Sequence, residues 1–385
     1  MTIFDPSAIL DFCKSELAWA LETLEALVRL ESPSDDKAAA DRCGTELERR
    51  LGAIGARITR FPQQGSGDHI RASFGDAVSP RVLALAHFDT VWPVGTLERM
   101  PLRRDAGRLY GPGTYDMKGG IVIALLAIRA LRAVAPGLLP HVVLLLTTDE
   151  ETGSATSRPL IEQEAAQSGA VLVFEPSMGE RGALKTARKG CATFELRVRG
   201  IAAHSGEPYK GVSAVLELAE QLLAIERLQV GEHVSVTACM AGGGARANVV
   251  PDEAWALFDV RVPTLDDAAR VERALGGLQP HRTGAQLAVS GGLERPPLER
   301  TPGVVRLFEM ARAAAAEVGV DLGEGRSGGV SDGNFTAALG VPTLDGLGAV
   351  GGGAHAADEH VNIEHLASRA ALAAGLLARL ARATI

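Results

Sequence analysis

Apolar positions along the chain follow two alternating rhythms. Over residues 7–30 they recur at helical spacing with Ser7 as a candidate N-cap, and the same spacing covers residues 36–54, so two opening helices are expected. Short uninterrupted apolar runs follow at 82–86, 142–146 and 171–174, separated by helical stretches at 120–134 and 157–167. Strand-length runs alternating with helices predict a parallel or mixed sheet covered by helices.

From residue 189 the order changes to strand (192–198), helix (212–228), strand (233–240), strand (253–262), helix (265–278) and strand (285–290). A βαββαβ series of this size is a small α+β unit with its own core. The first rhythm then returns, with a helix over 302–318, a strand over 342–347 and a terminal helix over 364–382. The pattern predicts one domain interrupted by another: 1–188, an insertion over 189–294, and a second part over 295–385. A chain of 385 residues is long enough for two cores.

Composition narrows the class. An apolar content of 46% and a charged content of 22% are ordinary for a soluble globular enzyme. No apolar run approaches eighteen residues, so no membrane-spanning helix is expected, and the N-terminal residues lack the basic and apolar regions of a secretory signal, which makes the cytoplasm the expected location. Cys13, Cys43, Cys191 and Cys239 are far apart and form no CxxC pair, so neither a disulfide framework nor a zinc-thiolate site is expected. A net charge of −8 without a dense basic run argues against nucleic acid as a partner.

The candidate chemistry sits where the predicted strands end. His87 and Asp89 follow the first run, Asp149-Glu150-Glu151 the second and Glu175 the third, while Asp116 lies in the glycine-rich stretch 113–120 and His355 follows Gly351-Gly352-Gly353. The carboxyl ends of strands are where open α/β sheets bind ligands, so these five segments can converge. In an extended segment His87 and Asp89 point the same way, and Asp89 can accept the second ring N–H of His87. Asp116 can bridge two metals about 3.5 to 4 Å apart. Adjacent Glu150 and Glu151 point to different sides, so one can bind metal while the other works on water. Each piece alone is ordinary, since acidic residues commonly cluster at a helix N-terminus. Together they read as a two-metal hydrolase centre. Imidazole and carboxylate donors suit zinc, and cobalt or manganese accept the same set.

With these motifs in hand, the chain resembles the zinc-dependent aminoacylase, carboxypeptidase and desuccinylase metallopeptidases, and within them the bacterial glutamate carboxypeptidase type. The likeness runs from Val82-Leu83-Ala84-Leu85-Ala86-His87-Phe88-Asp89-Thr90-Val91 to the end of the chain. It implies an α/β fold: a two-zinc exopeptidase-type catalytic domain with a mixed central sheet, interrupted by an inserted α+β (βαββαβ) dimerisation or lid domain. It also implies two Zn2+ per subunit, one held by His87, Asp116 and Glu175 and the other by Asp116, Glu151 and His355. Glu150 matches the general base, Asp89 the acid that orients His87, and Asp116-Met117 a cis peptide. His360, His365, Asp358 and Glu359 stand close enough in sequence to compete with His355.

The resemblance further implies a homodimer in which His204, within Gly200-Ile201-Ala202-Ala203-His204-Ser205-Gly206, stabilises the oxyanion in the partner subunit's site. Arg261 and Arg295 match arginines that clamp the substrate carboxylate, Asn248 a position near the oxyanion or that carboxylate, and Arg326 the head of a loop on the catalytic side. The implied activity is hydrolysis of an N-acyl or peptidyl amino acid with release of a C-terminal, glutamate-like amino acid. Two other readings compete. One is an N-acyl amino acid deacetylase or desuccinylase of acetylornithine or succinyl-diaminopimelate type, and the other a scaffold that has lost catalysis.

Overall fold

Alternate residues on three neighbouring strands are buried on opposite faces, and this decides the architecture. The computed structural model describes residues 4–75 and 81–383. The chain divides into two compact units, one of Met1–Thr186, Arg300–Arg326 and Ser331–Ile385, the other of Ala187–Glu299 and Ser327–Val330.

The first unit opens with helices α1 (Pro6–Ser15), α2 (Leu17–Arg29) and α3 (Lys37–Ala53). The helix expected over 7–30 is thus two, broken at Glu16, and its cap is Asp5 rather than Ser7. The Asp5 carboxylate accepts the backbone N–H of both Ser7 and Ala8, satisfying donors that the first turn leaves free. An antiparallel pair follows, β1 (Arg57–Phe61) and β2 (His69–Phe74), then β3 (Arg81–His87), α4 (Gly119–Val134), β4 (His141–Thr147), α5 (Arg158–Ala165) and β5 (Ala170–Val173). β3 runs parallel to β4 on one side and to β5 on the other.

Leu83, Leu85, Val143, Leu145, Val171 and Val173 pack on one face against Ile161 and Ala165 of α5. Val82, Ala84, Ala86, Val142, Leu144, Leu146 and Leu172 face the other way, toward α4. With a side-chain period of two, burial on both faces turns each strand into a continuous apolar run. Each fully buried Val or Leu contributes about 1.5 to 3 kcal/mol. α4 is buried from Gly119 through Ile128, as befits an interior helix that is apolar nearly all round.

The inserted unit contains β6 (Gly190–Arg199), α6 (Ala214–Glu226), β7 (Ser235–Gly243), β8 (Glu253–Val262), α7 (Leu265–Gly276) and β9 (Gln286–Arg295). Its strands form an antiparallel sheet in the order β7-β8-β6-β9. Ala254, Ala256, Phe258, Val260 and Val262 alternate into a core closed by Leu218 and Ile225 of α6 and Val271 and Leu275 of α7. The unit continues past residue 294, because Arg295 pairs with Cys191, and Arg188 and Leu298 exchange backbone hydrogen bonds of 2.9 and 3.1 Å. Arg295 therefore belongs to the insertion and not to the returning part of the chain. Ser327–Val330 also joins it, through Lys189 N–H to the Ser327 carbonyl at 3.0 Å and the Arg188 guanidinium to the Gly329 and Val330 carbonyls.

The chain then supplies α8 (Pro302–Glu317), α9 (Gly333–Ala338), β10 (Thr343–Leu344) and α10 (Ile363–Arg382) to the first unit. β10 pairs parallel with β5 and completes a six-stranded mixed sheet in the order β1-β2-β4-β3-β5-β10. No described helix is long and apolar enough to cross a membrane.

Candidate metal centre

β3, β4 and β5 end side by side, so residues at or just past their carboxyl ends share one edge. His87 is the last residue of β3, and its Nε2 is 3.4 Å from Asp116 Oδ1 and 3.4 Å from Glu175 Oε1. The Nε2 of His355 is 3.6 Å from Asp116 Oδ2 and 3.3 Å from the Glu151 carboxylate. The two oxygens of Asp116 thus address different histidines, which sorts five side chains into two sets with one member in common. Ligand atoms around a tetrahedral zinc at about 2.0 to 2.2 Å lie about 3.3 to 3.6 Å from one another, and the separations here match that spacing. Ligand atoms of His87, Asp116 and Glu151 lie within 4.8 Å of one another, a grouping that spans both sets and shows how close together they stand.

The electrostatics point the same way. Burial opposes charge on His87, but hydrogen bonding to Asp116, Asp89 and Glu175 outweighs it and holds the imidazole well above its ordinary range. The Glu151 carboxylate, opposed by partial burial, pushes His355 up to about 9. The carboxylates that favour the charged imidazoles also favour a bound cation, and the oxygen and imidazole donors fit a divalent metal.

Neighbouring groups hold this arrangement. Asp89 is closed to solvent, and its Oδ2 accepts the Ser34 hydroxyl at 2.7 Å and the Glu151 backbone N–H at 3.3 Å. The His87 Nδ1 lies 3.1 Å from the Asp89 backbone carbonyl and 3.4 Å from its Oδ1, so the main chain is the nearer partner where the sequence pointed to the side chain. Asp149 Oδ2 accepts the backbone N–H and hydroxyl of Thr156, each at 2.7 Å, and the Ser157 N–H at 3.2 Å, closing the loop that carries Glu150 and Glu151. Those two glutamates stand on a single 3-10 turn, Glu150–Thr152, both partly buried. The buried Lys118 ammonium donates to the carbonyls of Leu27 at 3.0 Å and Leu30 at 3.3 Å, fastening the start of α4 to the end of α2. Gly120 admits the close approach on its other side, since a Cβ there would stand 1.9 Å from the Phe174 carbonyl oxygen. The Asp116-Met117 peptide is cis.

Of the competing groups near the C-terminus, His355 is the one that reaches the cluster. His360 packs beside Tyr110 with ring centroids 5.1 Å apart, and His365 lies 3.6 Å from Glu364. Glu359 turns both carboxylate oxygens to N–H donors.

The inserted unit brings His204 and Asn248 together. His204 is exposed on the short strand Ala203–His204, paired with Val249–Val250, and the Asn248 carbonyl accepts the Ser205 N–H at 3.0 Å. The His204 Nδ1 accepts the Gly206 N–H at 3.0 Å, so in the neutral ring the hydrogen sits on Nε2. Arg261 is less open than its sequence position suggested: its Nε and Nη2 are taken by Asp259 at 2.8 and 2.9 Å, leaving the Nη1 edge. Arg295 is buried, and Arg326 is exposed on the strand Glu324–Ser327.

The model of Peptidase family M20/M25/M40 matches residues 83–379. The chain belongs to this family. Carboxypeptidase G2 of Pseudomonas sp. (strain RS-16) is 30% identical over 93% of this chain and 88% of its own length. The succinyl-diaminopimelate desuccinylase of Thioalkalivibrio sulfidiphilus (strain HL-EbGR7) is 32% identical over 94% and 98%. Aminopeptidase PepT from Bacillus cereus ATCC 10987 shares the fold, with a TM-score of 0.78 at 22% identity over 95% of this chain and 99% of that one. Membership of the M20 family makes the protein a hydrolytic enzyme, which sets aside the scaffold that has lost catalysis.

The groups that support the ligands in this M20 chain leave no pattern in its sequence. Ser34, Trp92 and Lys118 carry no spacing signal, and the sequence shows Glu359 only as a rival ligand. What marks them is a contact with a segment far away in sequence, such as the 2.7 Å bond from Ser34 to Asp89.

Proposed function

We propose that this enzyme is a two-zinc hydrolase that cuts the amide bond of an N-acyl or peptidyl amino acid and releases a C-terminal, glutamate-like amino acid. The observation that carries the reading is Asp116, whose two oxygens address the His87 and His355 sets separately. His87, Asp116 and Glu175 would hold one zinc, and Asp116, Glu151 and His355 the other; cobalt or manganese would suit the same donors. When bound, the ions supply Lewis acidity, which makes water a nucleophile at neutral pH and polarises the scissile carbonyl.

Glu150, next to the ligand Glu151 on one turn, takes the proton of the attacking water and delivers it to the leaving nitrogen. Asp89 keeps His87 in the orientation that aims Nε2 at Asp116 and Glu175. His204 offers its Nε2–H to the developing oxyanion, with Asn248 beside it. The Nη1 edge of Arg261 recognises the substrate carboxylate, for which planar guanidinium is suited, with the buried Arg295 and the exposed Arg326 as the further substrate-binding arginines.

The enzyme acts as a homodimer through the inserted unit. Support comes from β7, which among the described residues pairs only with β8, and from exposed Val215, Leu216 and Leu223 on α6 and Met240 on β7. An edge strand beside an apolar helix face suits a two-fold contact.

The identity to carboxypeptidase G2 supports release of a C-terminal amino acid, while that to a desuccinylase supports a second reading, an N-acyl amino acid deacylase. Metal-stripped protein, with and without added zinc, separates them when free amino acid is measured from N-acyl and peptidyl substrates ending in Glu, Asp, Ala, Leu, Lys or ornithine. Zinc-dependent release favouring Glu or Asp is the expected result. Preference for ornithine or another residue moves the enzyme to the deacylase reading, and no release with zinc bound sinks both.

A further inference from the structure

We propose that Glu359 is a positioning residue whose carboxylate sets the spacing of three ligand-bearing segments and so tunes the zinc affinity of the centre. The proposal rests on reading the cluster as a zinc site. Glu359 is fully closed to solvent. Its Oε1 accepts the backbone N–H of Tyr115 at 2.9 Å and of Asp116 at 3.0 Å, and its Oε2 accepts the Gly113 N–H at 2.9 Å and the Trp92 indole N–H at 2.8 Å. A carboxylate offers about four acceptor positions, and here four donors occupy them. Glu359 therefore faces away from the role of ligand.

What it joins matters more than the number of bonds. Trp92 lies three residues past Asp89, on the segment that carries His87. Gly113, Tyr115 and Asp116 form the loop that carries the shared ligand. Glu359 itself ends two successive turns, the first of which carries His355: Ala356 N–H donates to the Gly353 carbonyl at 2.9 Å and Glu359 N–H to the Ala356 carbonyl at 3.0 Å. A further bond, Gly111 N–H to the Glu359 carbonyl at 3.1 Å, ties the same two loops through the main chain. One buried side chain thus anchors the segments of His87, Asp116 and His355 to a common point. The distances that make the centre fit a metal, 3.4 Å from His87 to Asp116 and 3.6 Å from His355 to Asp116, span those segments.

The arrangement needs an acid rather than its amide. Glutamine has nearly the same shape, but its NH2 group would replace one of the two acceptor oxygens and face two N–H donors. Glu359→Gln therefore removes half of the bonds while leaving the volume filled, which separates polarity from packing.

The test uses the full chain as wild type, Glu359→Gln and Trp92→Phe. Zinc dissociation constants come from competition with a chromophoric chelator, and unfolding midpoints are read both in chelator and in excess zinc. Glu359→Gln is expected to raise the zinc dissociation constant by about 10- to 100-fold, the usual effect of losing a group that orients a ligand. It should also shrink the gap between the two midpoints. Trp92→Phe keeps the three backbone donors and should raise the constant measurably, by a smaller factor than Glu359→Gln does. A Glu359→Gln protein with the wild-type constant and both midpoints lowered equally would overturn the proposal, because its role would then be confined to the fold. Where Glu359→Gln does not fold, an unchanged constant in Trp92→Phe overturns it instead. Wild-type protein that fails to bind zinc defeats the reading of the centre itself and the clamp with it.

Discussion

His87 and His204 are held in opposite ways. The ring of His87 is 2% exposed and lies within 3.4 Å of four oxygens from Asp89, Asp116 and Glu175, whereas His204 stands exposed with the Gly206 N–H as the partner of its ring. The same contrast extends to their neighbours. Around His87 a chain of buried bonds runs through Asp89 to Ser34 and to the Glu151 backbone, while around His204 the supports are the main chain of a short two-stranded ribbon. A ligand set interlocked in the interior has its geometry before anything binds. An exposed donor on a ribbon keeps hydrogen-bonding capacity for a molecule that arrives later. On the proposed reading, metal binding around His87 and substrate contact at His204 fall to different kinds of local structure, while His355 joins the metal set from a half-exposed position.

The contrast is broken most severely at the acidic pair. Glu150→Ala is expected to keep its full zinc content while kcat falls by about 10²- to 10⁴-fold, the range for loss of a general acid–base group. Glu151→Ala should instead lose zinc, as read by elemental analysis. Equal zinc and equal residual activity in the two variants would refute the division of labour between them.

The next effect belongs to the inserted unit. His204→Ala should lower kcat by about 10²- to 10³-fold without touching zinc content, as for removal of one oxyanion donor. If His204 serves the partner subunit's site, an equal mixture of Glu150→Ala and His204→Ala chains, allowed to exchange subunits, regains roughly a quarter of wild-type activity, since half the dimers are mixed and carry one intact site of two. Failure of the mixture to recover activity, with exchange verified, removes the action across subunits.

The smallest effect sharpens the buried side. Ser34→Ala takes one donor from the Asp89 carboxylate, and the loss of a buried bond to a charged group should lower unfolding stability by about 1.5 to 3 kcal/mol. Chemical denaturation of the metal-free chain measures this directly. An unchanged midpoint would mean that water or another donor replaces Ser34 without loss.

The parts legible from sequence are those in which local pattern and global role coincide. Runs such as 82–86 and 142–146 are apolar throughout because both faces of β3 and β4 are covered, and the ligands follow them because strand ends define the edge of the sheet. β1 and β2 escaped notice for the converse reason. They sit at the antiparallel side of the sheet, and β1 carries Arg57 and Arg60 on a half-exposed pattern that does not resemble a buried strand. The break at Glu16 interrupts an apolar spacing that continues across it, so α1 and α2 read as one helix. Glu359 and Ser34 were invisible for a deeper reason. Their partners are more than fifty residues away at the least, and nothing in the local sequence announces which donors will surround a carboxylate.

The joint between the two units carries a consequence for the history of such enzymes. Arg188 and Leu298 are hydrogen-bonded neighbours, so the insertion begins and ends on one rung of a ladder. A host fold pays only slowly growing loop-closure entropy for whatever is strung between two such points. The excursion can lengthen, shorten or be exchanged while the metal-binding residues, all outside it, keep their places. The stretch between those two points can then vary while the metal-binding residues are inherited unchanged, and the share of catalysis proposed for His204 travels with the insertion.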